Sequence, residues 1–526
     1  MRRTQAGNAE NTAGANPGPV HGAVGRPPAG NAEGTAAGQL PARRQAGAGF
    51  PARQLLGISR LLLLLSFMLL PLSAFPAAGP IGALYPERPS YLLSLIGMGC
   101  CLASLQWRHL LREHRRLLIL TGLFILYGIA VSVYGALCAD TADGQYPIFF
   151  SVFNFIKRKA VPTLYVVWAA FLLVSMPAEK ARGFYTLSLL ALFIPNAAHM
   201  LPELLANLGC DGVRDLLAGI NPYFRQVNTS HGNWPPPYFT DRVRGLFAEP
   251  SHLAYALTPV AAFFFYKLQK NILYILPLLF IFVSYIYKIP TITGILSTAF
   301  LMPAFFVYIM RNIIKRHIMV FSTAAILIIF LPCVYIQRFH EKAVSDAVHN
   351  LRETEKIAAY CKAAQALPES CPPKLDIRGG AGSLFTRAAN VKIELDIAVQ
   401  HPLGMGFYLS GFYYKPLLVW KDVPQEFFQW IALAFRDPVP VIPQLCEYGA
   451  LASDLGIPGL CLFLLLCLHV ARCARRKFRE SRDDFMLFML FSLGASMLTL
   501  FSVALKSGFM FYYFLGFMYA LSNNKT

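Results

Sequence analysis

Charged side chains are scarce in this chain of 526 residues, because only 14% of them are Asp, Glu, Lys or Arg while 56% are hydrophobic. A soluble globular domain carries about 25% charged residues, so this composition excludes an ordinary soluble protein. Apolar runs such as 318–336 and 485–505 have the length of about 20 residues that a membrane-crossing helix needs. The composition therefore predicts an all-α polytopic membrane protein.

Acidic residues are the scarcest charged class, with 28 Asp and Glu against 47 Lys and Arg, which gives a net charge of +19. An excess of this size can indicate nucleic-acid binding, but here the basic residues fall in short loops between apolar runs. One consistent threading puts these loops on the same side of the membrane, as the positive-inside rule expects. We therefore attribute the charge to topology and expect no nucleic-acid partner. The loops are 108–116, 180–182, 267–270, 311–316 and 472–482.

Patterns that bind metals are also missing from the sequence. The 11 cysteines show no paired Cys-x-x-Cys spacing, and there is no Asp-x-Asp motif. We therefore expect no metal site and no cofactor. Cys361 and Cys371 share a predicted outer loop and would form a disulfide if that compartment is oxidising.

The chain divides into four regions. Residues 1–53 are rich in Ala, Gly and Pro and are predicted to be disordered, because they have too few large apolar side chains to form a core. Residues 54–336 are predicted to form transmembrane helices 1–9, with an outer loop at 203–245. Residues 337–448 form a large predicted periplasmic loop, and 449–526 carry helices 10–12. Both termini are expected in the cytoplasm.

Each predicted span is an apolar run of roughly membrane-crossing length. The first was weighed against a late signal sequence, which the long segment before it disfavours. The threading leaves 139–159 outside, where Lys157-Arg158-Lys159 violates the positive-inside rule. This tripeptide is either a local exception or a sign that an early span is miscounted. The spans are 55–75, 90–106, 117–138, 160–176, 184–202, 246–266, 271–287, 290–310, 318–336, 449–470, 485–505 and 507–521.

Four ionisable residues gather where the sixth apolar run begins: Arg242, Arg244, Glu249 and His252. Such groups are costly to desolvate at a membrane boundary. Pro250 favours a helix start, and the free N–H groups there favour an anion. Glu249 and His252, three residues apart, would share a helix face and could transfer protons. Both arginines could hold phosphate oxygens with a planar fork of donors, or simply mark the boundary by snorkelling.

The large loop offers weaker candidates. Arg387 lies on a helix predicted from 383 to about 399, where it could also belong to a solvated face. His401 opens the sequence His-Pro-Leu-Gly-Met-Gly-Phe, a turn with closely approaching backbone. A single histidine of this kind is more often a loop residue than a catalyst. Asp454, near the start of the tenth span, could orient an arginine or cap a helix.

The order of these motifs resembles that of the Wzy-type O-antigen polymerases. The resemblance is carried by Arg-x-Arg-Gly-Leu-Phe-Ala-Glu-Pro-Ser-His at 242–252, by the loop motif that begins at His401, and by Leu-Gly-Ile-Pro-Gly-Leu at 455–460. The layout it covers runs from 55 to 521, and the wider superfamily includes the O-antigen ligases. The 242–252 window is the most specific of the three.

The resemblance implies a GT-C-like, metal-independent glycosyltransferase of the bacterial inner membrane. It implies that Arg242, Arg244 and Arg387 handle a polyprenyl pyrophosphate, with Glu249 inside the best-matching motif. His401 is assigned to substrate binding as well, although ligases place an Asn beside their loop histidine and this chain has Pro402.

The activity implied is polymerisation of polyprenyl-pyrophosphate-linked repeat units into O-antigen, capsule or exopolysaccharide at the periplasmic face. The expected partners are these lipid-linked glycans, membrane lipid, and chain-length regulator and flippase proteins. One alternative is an O-antigen ligase that transfers glycan to lipid A-core or protein. Another is a transporter or flippase of lipid-linked sugars, for which the matching broken helices typical of transporters were not found.

Overall fold

The computed structural model describes residues 50–72, 89–104, 113–138, 148–224, 243–247, 249–286, 291–313, 382–409, 446–502 and 509–524. Within these ranges every regular element is a helix and no strand is present. The predicted all-α fold class is confirmed for this part of the chain. The first 49 residues, Arg242, Cys361 and Cys371 lie outside the described ranges, as does the ninth predicted span.

The α-helices are connected in part by short π and 3₁₀ turns, at Ile156–Ala160 and Ile272–Tyr274 respectively. The α-helices are α1 Phe50–Met68, α2 Pro89–Ala103, α3 Arg115–Cys138, α4 Ile148–Phe155, α5 Val161–Val174, α6 Ala178–Asn207, α7 Asp211–Phe224, α8 Pro250–Leu268, α9 Ile275–Ile286, α10 Ile292–Ile313, α11 Gly382–Gln400, α12 Glu447–Ser481, α13 Asp484–Thr499 and α14 Phe509–Asn523.

Three helices in the described ranges are long and apolar enough to cross a membrane by length and composition. They are α3, α6 and α12, with 24, 30 and 35 residues. Shorter apolar helices accompany them, including α2 and α13. The described part is therefore all-helical and carries helices of membrane-crossing length, as the composition predicts.

The predicted outer loop 203–245 contains helical structure in its described residues. Helix α6 continues through Pro195 and Pro202 to Asn207, and α7 follows after a tight turn. Gly209 makes this turn with a φ of 101°. Its N–H bonds the Ala206 carbonyl, and the next N–H bonds the carbonyl of Leu205. This is the hydrogen-bond pattern of a Schellman helix end.

The helix bundle is held by tightly packed aromatic and apolar side chains. Helix α5 lies against α14, where the rings of Tyr165 and Tyr513 stack with centroids 4.8 Å apart. Helix α8 is buried along nearly its whole length and packs mainly on α13. At one end of the bundle, Arg182 near the start of α6 pairs with Asp483, which caps α13.

The segment 401–409 approaches α3 so closely that a side chain would not fit between them. A Cβ placed on Gly135 would overlap the carbonyl oxygen of Met405, whereas a Cβ on Gly122 in the same helix meets nothing within 4 Å. Glycine is the residue that permits such close backbone approach. The contact fixes 401–409 against the bundle.

We expect Gly135→Ala to lower the melting temperature of the detergent-solubilised protein, because the added methyl group has to displace backbone. Overpacking of this kind typically costs about 1–3 kcal/mol. Gly122→Ala is the matched control and is expected to leave the melting temperature unchanged. Equal melting temperatures for the two variants would contradict the close approach of 401–409 to α3.

Candidate functional site

Two polar clusters lie at the same end of the bundle. The first residue of α12, Glu447, pairs with Lys159, which lies in the π-helical turn that leads into α5. Helix α6 turns back after α5, so its last turns lie at the end where α5 begins. There Glu203 contacts the segment that leads into α8. We call this end, where α5, α8 and α12 begin, the site end.

The first cluster is built on Glu203. One carboxylate oxygen, Oε2, accepts hydrogen bonds from the backbone N–H groups of Arg244 (2.9 Å) and Gly245 (2.8 Å). The other oxygen, Oε1, lies 3.8 Å from Nε of Arg244, and both side chains are only 4% exposed. Charge-assisted hydrogen bonds are the strong ones in proteins. The predicted substrate residue Arg244 is therefore buried beside a carboxylate.

Two further residues of α6 lie beside this segment or beside Glu203. Asn196 accepts a hydrogen bond from the Leu246 N–H at 3.1 Å, and His199 Nδ1 lies 3.9 Å from Glu203. Gly245 has a φ of +57°, and a Cβ there would press on Asn196. Sequence reasoning missed these α6 residues. Their spacing places polar groups on one stripe of an apolar helix, which is the signal that could have found them.

Glu249 and His252 are brought together as the sequence predicts, and α8 begins at Pro250 as expected. Their closest side-chain atoms, Glu249 Oε2 and His252 Nε2, are 4.0 Å apart. Glu249 is 50% exposed and His252 19% exposed. Ser251 donates a hydrogen bond to the same carboxylate oxygen at 3.0 Å. The pair is therefore partly exposed at the start of α8.

The loop motif that begins at His401 forms backbone hydrogen bonds with the region around the 455–460 motif in α12. The N–H groups of Met405 and Gly406 bond the carbonyls of Ser453 and Asp454 at 3.2 and 2.9 Å, and Ile457 N–H bonds the Pro402 carbonyl at 2.9 Å. Helix α12 is interrupted at Gly456, where φ is 69° and ψ −178°. This break frees carbonyls that would otherwise accept bonds within the helix. Asp454 itself is 1% exposed.

Arg387 lies in α11, and His401 begins the loop 401–409 that follows this helix. His401 directly follows α11 and is half-buried, and its carbonyl accepts a hydrogen bond from the Gly404 N–H at 2.8 Å. Arg387 lies within α11, which matches the helix predicted there, but its side chain is outside the description. The Tyr127 hydroxyl of α3 donates to the Leu403 carbonyl at 2.9 Å.

The second cluster contains a buried ion pair. Lys159 and Glu447 contact each other directly with side-chain exposures of 1% and 0%. Lys159 lies in the π-helical turn Ile156–Ala160, and such turns occur frequently at functional sites. The charge of Lys159 is thus neutralised inside the protein.

Cys446 lies next to Glu447 at the site end. Burial raises the pKa of the Cys446 thiol to about 11, so this residue stays protonated at neutral pH and is a poor nucleophile. Among the residues that the structure describes, no three His, Cys, Asp or Glu side chains gather as metal ligands would.

Comparisons with known proteins identify no relative: no protein-family model matches the chain, and no curated protein matches it.

Glu203 is expected to hold the 243–247 segment through its two backbone hydrogen bonds. We predict that Glu203→Ala strongly accelerates hydrogen exchange at the amides of Arg244 and Gly245, measured by mass spectrometry on the solubilised protein. Glu249→Ala is the matched control, because its carboxylate accepts neither amide. Unchanged protection in Glu203→Ala would contradict the assignment of Glu203 as the anchor.

The buried ion pair gives a second prediction. Replacing only Lys159 or only Glu447 with methionine leaves an uncompensated buried charge, and we expect a loss of about 3–5 kcal/mol of unfolding free energy. The double variant Lys159→Met, Glu447→Met removes both charges and is expected to recover much of that loss. Denaturant unfolding of the three variants measures this coupling. Additive losses in the double variant would show that the two charges do not depend on each other.

Proposed function

We propose that this chain is a GT-C-like membrane glycosyltransferase with about 12 transmembrane helices, which polymerises polyprenyl-pyrophosphate-linked repeat units. The observation that carries the proposal is the Glu249–His252 pair. It is partly exposed, it lies at the start of α8, and it follows a segment that Glu203 holds in place. A proton acceptor in a fixed position is what glycosyl transfer to a hydroxyl requires.

The distribution of basic residues supports an outward-facing site. Exposed arginines collect at the end opposite the site end, near the start of α3 and the last turns of α12, and the positive-inside rule would place this end in the cytoplasm. The site end would then face the periplasm, with both termini cytoplasmic and the protein in the bacterial inner membrane. These arginines are Arg115, Arg116, Arg472, Arg475, Arg476 and Arg479.

The reaction transfers a growing glycan to the terminal hydroxyl of another lipid-linked unit. The hydroxyl gives its proton to Glu249 or His252, and its oxygen forms a bond to the anomeric carbon of the donor. The bond from that carbon to the pyrophosphate oxygen breaks, and polyprenyl pyrophosphate leaves with the electron pair. The positive end of the α8 helix dipole would favour the departing anion.

The cations divide into two roles under this proposal. Arg244 is buried beside Glu203, so it positions the motif segment. Arg242, Arg387 and His401 keep the substrate contacts that the sequence assigns to them. Fixed cations would stabilise the charge that develops on the leaving diphosphate more than they stabilise the ground state. Lipid-linked glycans, membrane lipid, a chain-length regulator and a flippase remain the proposed partners.

The test is polymer synthesis in proteoliposomes given a lipid-linked repeat unit on one face. We expect Glu249→Gln or His252→Gln, whichever removes the proton acceptor, to slow polymerisation by roughly 100-fold or more, the usual contribution of general base catalysis. Glu480→Gln is the matched control, since Glu480 is an exposed carboxylate in the last turns of α12.

Three outcomes would contradict the proposal. Wild-type rates in both variants would remove the pair from the mechanism. Transfer of finished glycan to lipid A-core without chain growth would indicate a ligase. Movement of the lipid-linked unit across the membrane without a new glycosidic bond would indicate a transporter.

A further inference from the structure

The π-helical turn Ile156–Ala160 directs two neighbouring cations to different surroundings. Lys159 points into the bundle and pairs with Glu447. Arg158 is partly exposed, and its guanidinium carbon lies 4.9 Å from the centroid of the Tyr408 ring. The proposed function uses neither residue, although the turn lies at the site end.

The Lys159–Glu447 pair fixes the register of this turn. A buried ion pair is a weak source of stability, but breaking it is costly, and such pairs can specify one arrangement of the chain. The Lys159 carbonyl also accepts a hydrogen bond from the Thr163 hydroxyl at 2.6 Å, which ties the turn to α5. Arg158 therefore sits on a rigid support, as a ligand-binding side chain should.

Arg158 keeps donors for a ligand. Its Nε is buried and has no hydrogen-bond partner in the ranges that the structure describes. Within the same ranges no carboxylate forms an ion pair with it; the ring of Tyr408 is its neighbour instead. A guanidinium that lies over an aromatic ring is attracted to it without using its N–H donors on the ring edge.

Tyr408 is itself held in an unusual conformation. Its φ is 63°, a left-handed value that is uncommon for a bulky residue, and its side chain is buried. Such backbone persists only where the surroundings over-determine it, and it clusters at functional sites. Here the preceding carbonyl, that of Phe407, accepts a hydrogen bond from the Ser151 hydroxyl of α4 at 2.9 Å. The same motif loop that starts at His401 thus orients Arg158.

We propose that Arg158 binds the diphosphate of the lipid-linked donor, with Tyr408 fixing the plane of its guanidinium. The choice of ligand rests on the proposed function. A planar fork of donors matches two phosphate oxygens at once, and a cation among apolar helices suits an anion that carries a lipid tail. Arg158 thereby explains the second cation of the 157–159 tripeptide that violates the positive-inside rule.

The experiment measures binding of undecaprenyl pyrophosphate to the full chain in nanodiscs. Arg158→Gln is expected to weaken binding roughly 10- to 100-fold, the range that a lost charged hydrogen bond gives. Arg158→Lys keeps the charge but loses the planar fork, so we expect an intermediate loss. Lys157→Gln removes a neighbouring positive charge from the same turn and is expected to leave binding unchanged. Melting temperatures of all variants report whether they fold.

Two results would overturn the inference. One is wild-type affinity in Arg158→Gln and Arg158→Lys. The other is equal competition by phosphatidylglycerol, which would make Arg158 a general contact for lipid headgroups. The binding readout is separate from polymer synthesis. If the wild-type chain binds undecaprenyl pyrophosphate through Arg158 but makes no polymer, the proposed function fails while this site stands. If Arg158→Gln binds weakly and the wild type polymerises, both stand.

Discussion

The cost of burying charge is the constraint on which the site end depends. An ionised group inside an apolar bundle has to be paired and hydrogen-bonded, or it loses several kcal/mol. Lys159 and Glu447 meet this requirement by pairing with each other, and their contact joins the start of α5 to the start of α12. Glu203 meets it by accepting two backbone N–H groups and lying beside Arg244. Each pairing joins chain segments that are distant in sequence, so satisfying the charges also assembles the site.

Close backbone approach also holds the site end together. The loop after His401 and the break in α12 exchange hydrogen bonds through carbonyls and N–H groups, and Gly404 and Gly456 supply the left-handed conformations. A Cβ at either glycine would overlap the other segment or press on it. Because glycine has no side chain, these two positions allow the loop 401–409 and the break in α12 to contact each other. The Glu249–His252 pair at the start of α8 is partly exposed, which suits the proposed role in proton transfer.

Hydropathy and helix-start chemistry predicted much of the fold. The helix start at Pro250 and the helix near 383–399 were predicted because proline and apolar periodicity are local signals. The pairing of Lys159 with Glu447 was not predictable, since the two residues are 288 positions apart. Burial of Arg244 was missed for the same reason: its partner lies on α6. Arg158 was noticed only as a charge in the wrong place, because the Tyr408 ring that orients it lies in another loop.

Photo-crosslinking from the site end tests the central claim most directly. A photoreactive amino acid would replace Glu249 or Glu480, and a radiolabelled lipid-linked repeat unit would be supplied to membranes with a known open face. The account predicts crosslinks from position 249 when the periplasmic face is open and none from position 480. Crosslinks from position 480 alone, or from position 249 only when the cytoplasmic face is open, would contradict an outward-facing glycosyl-transfer site.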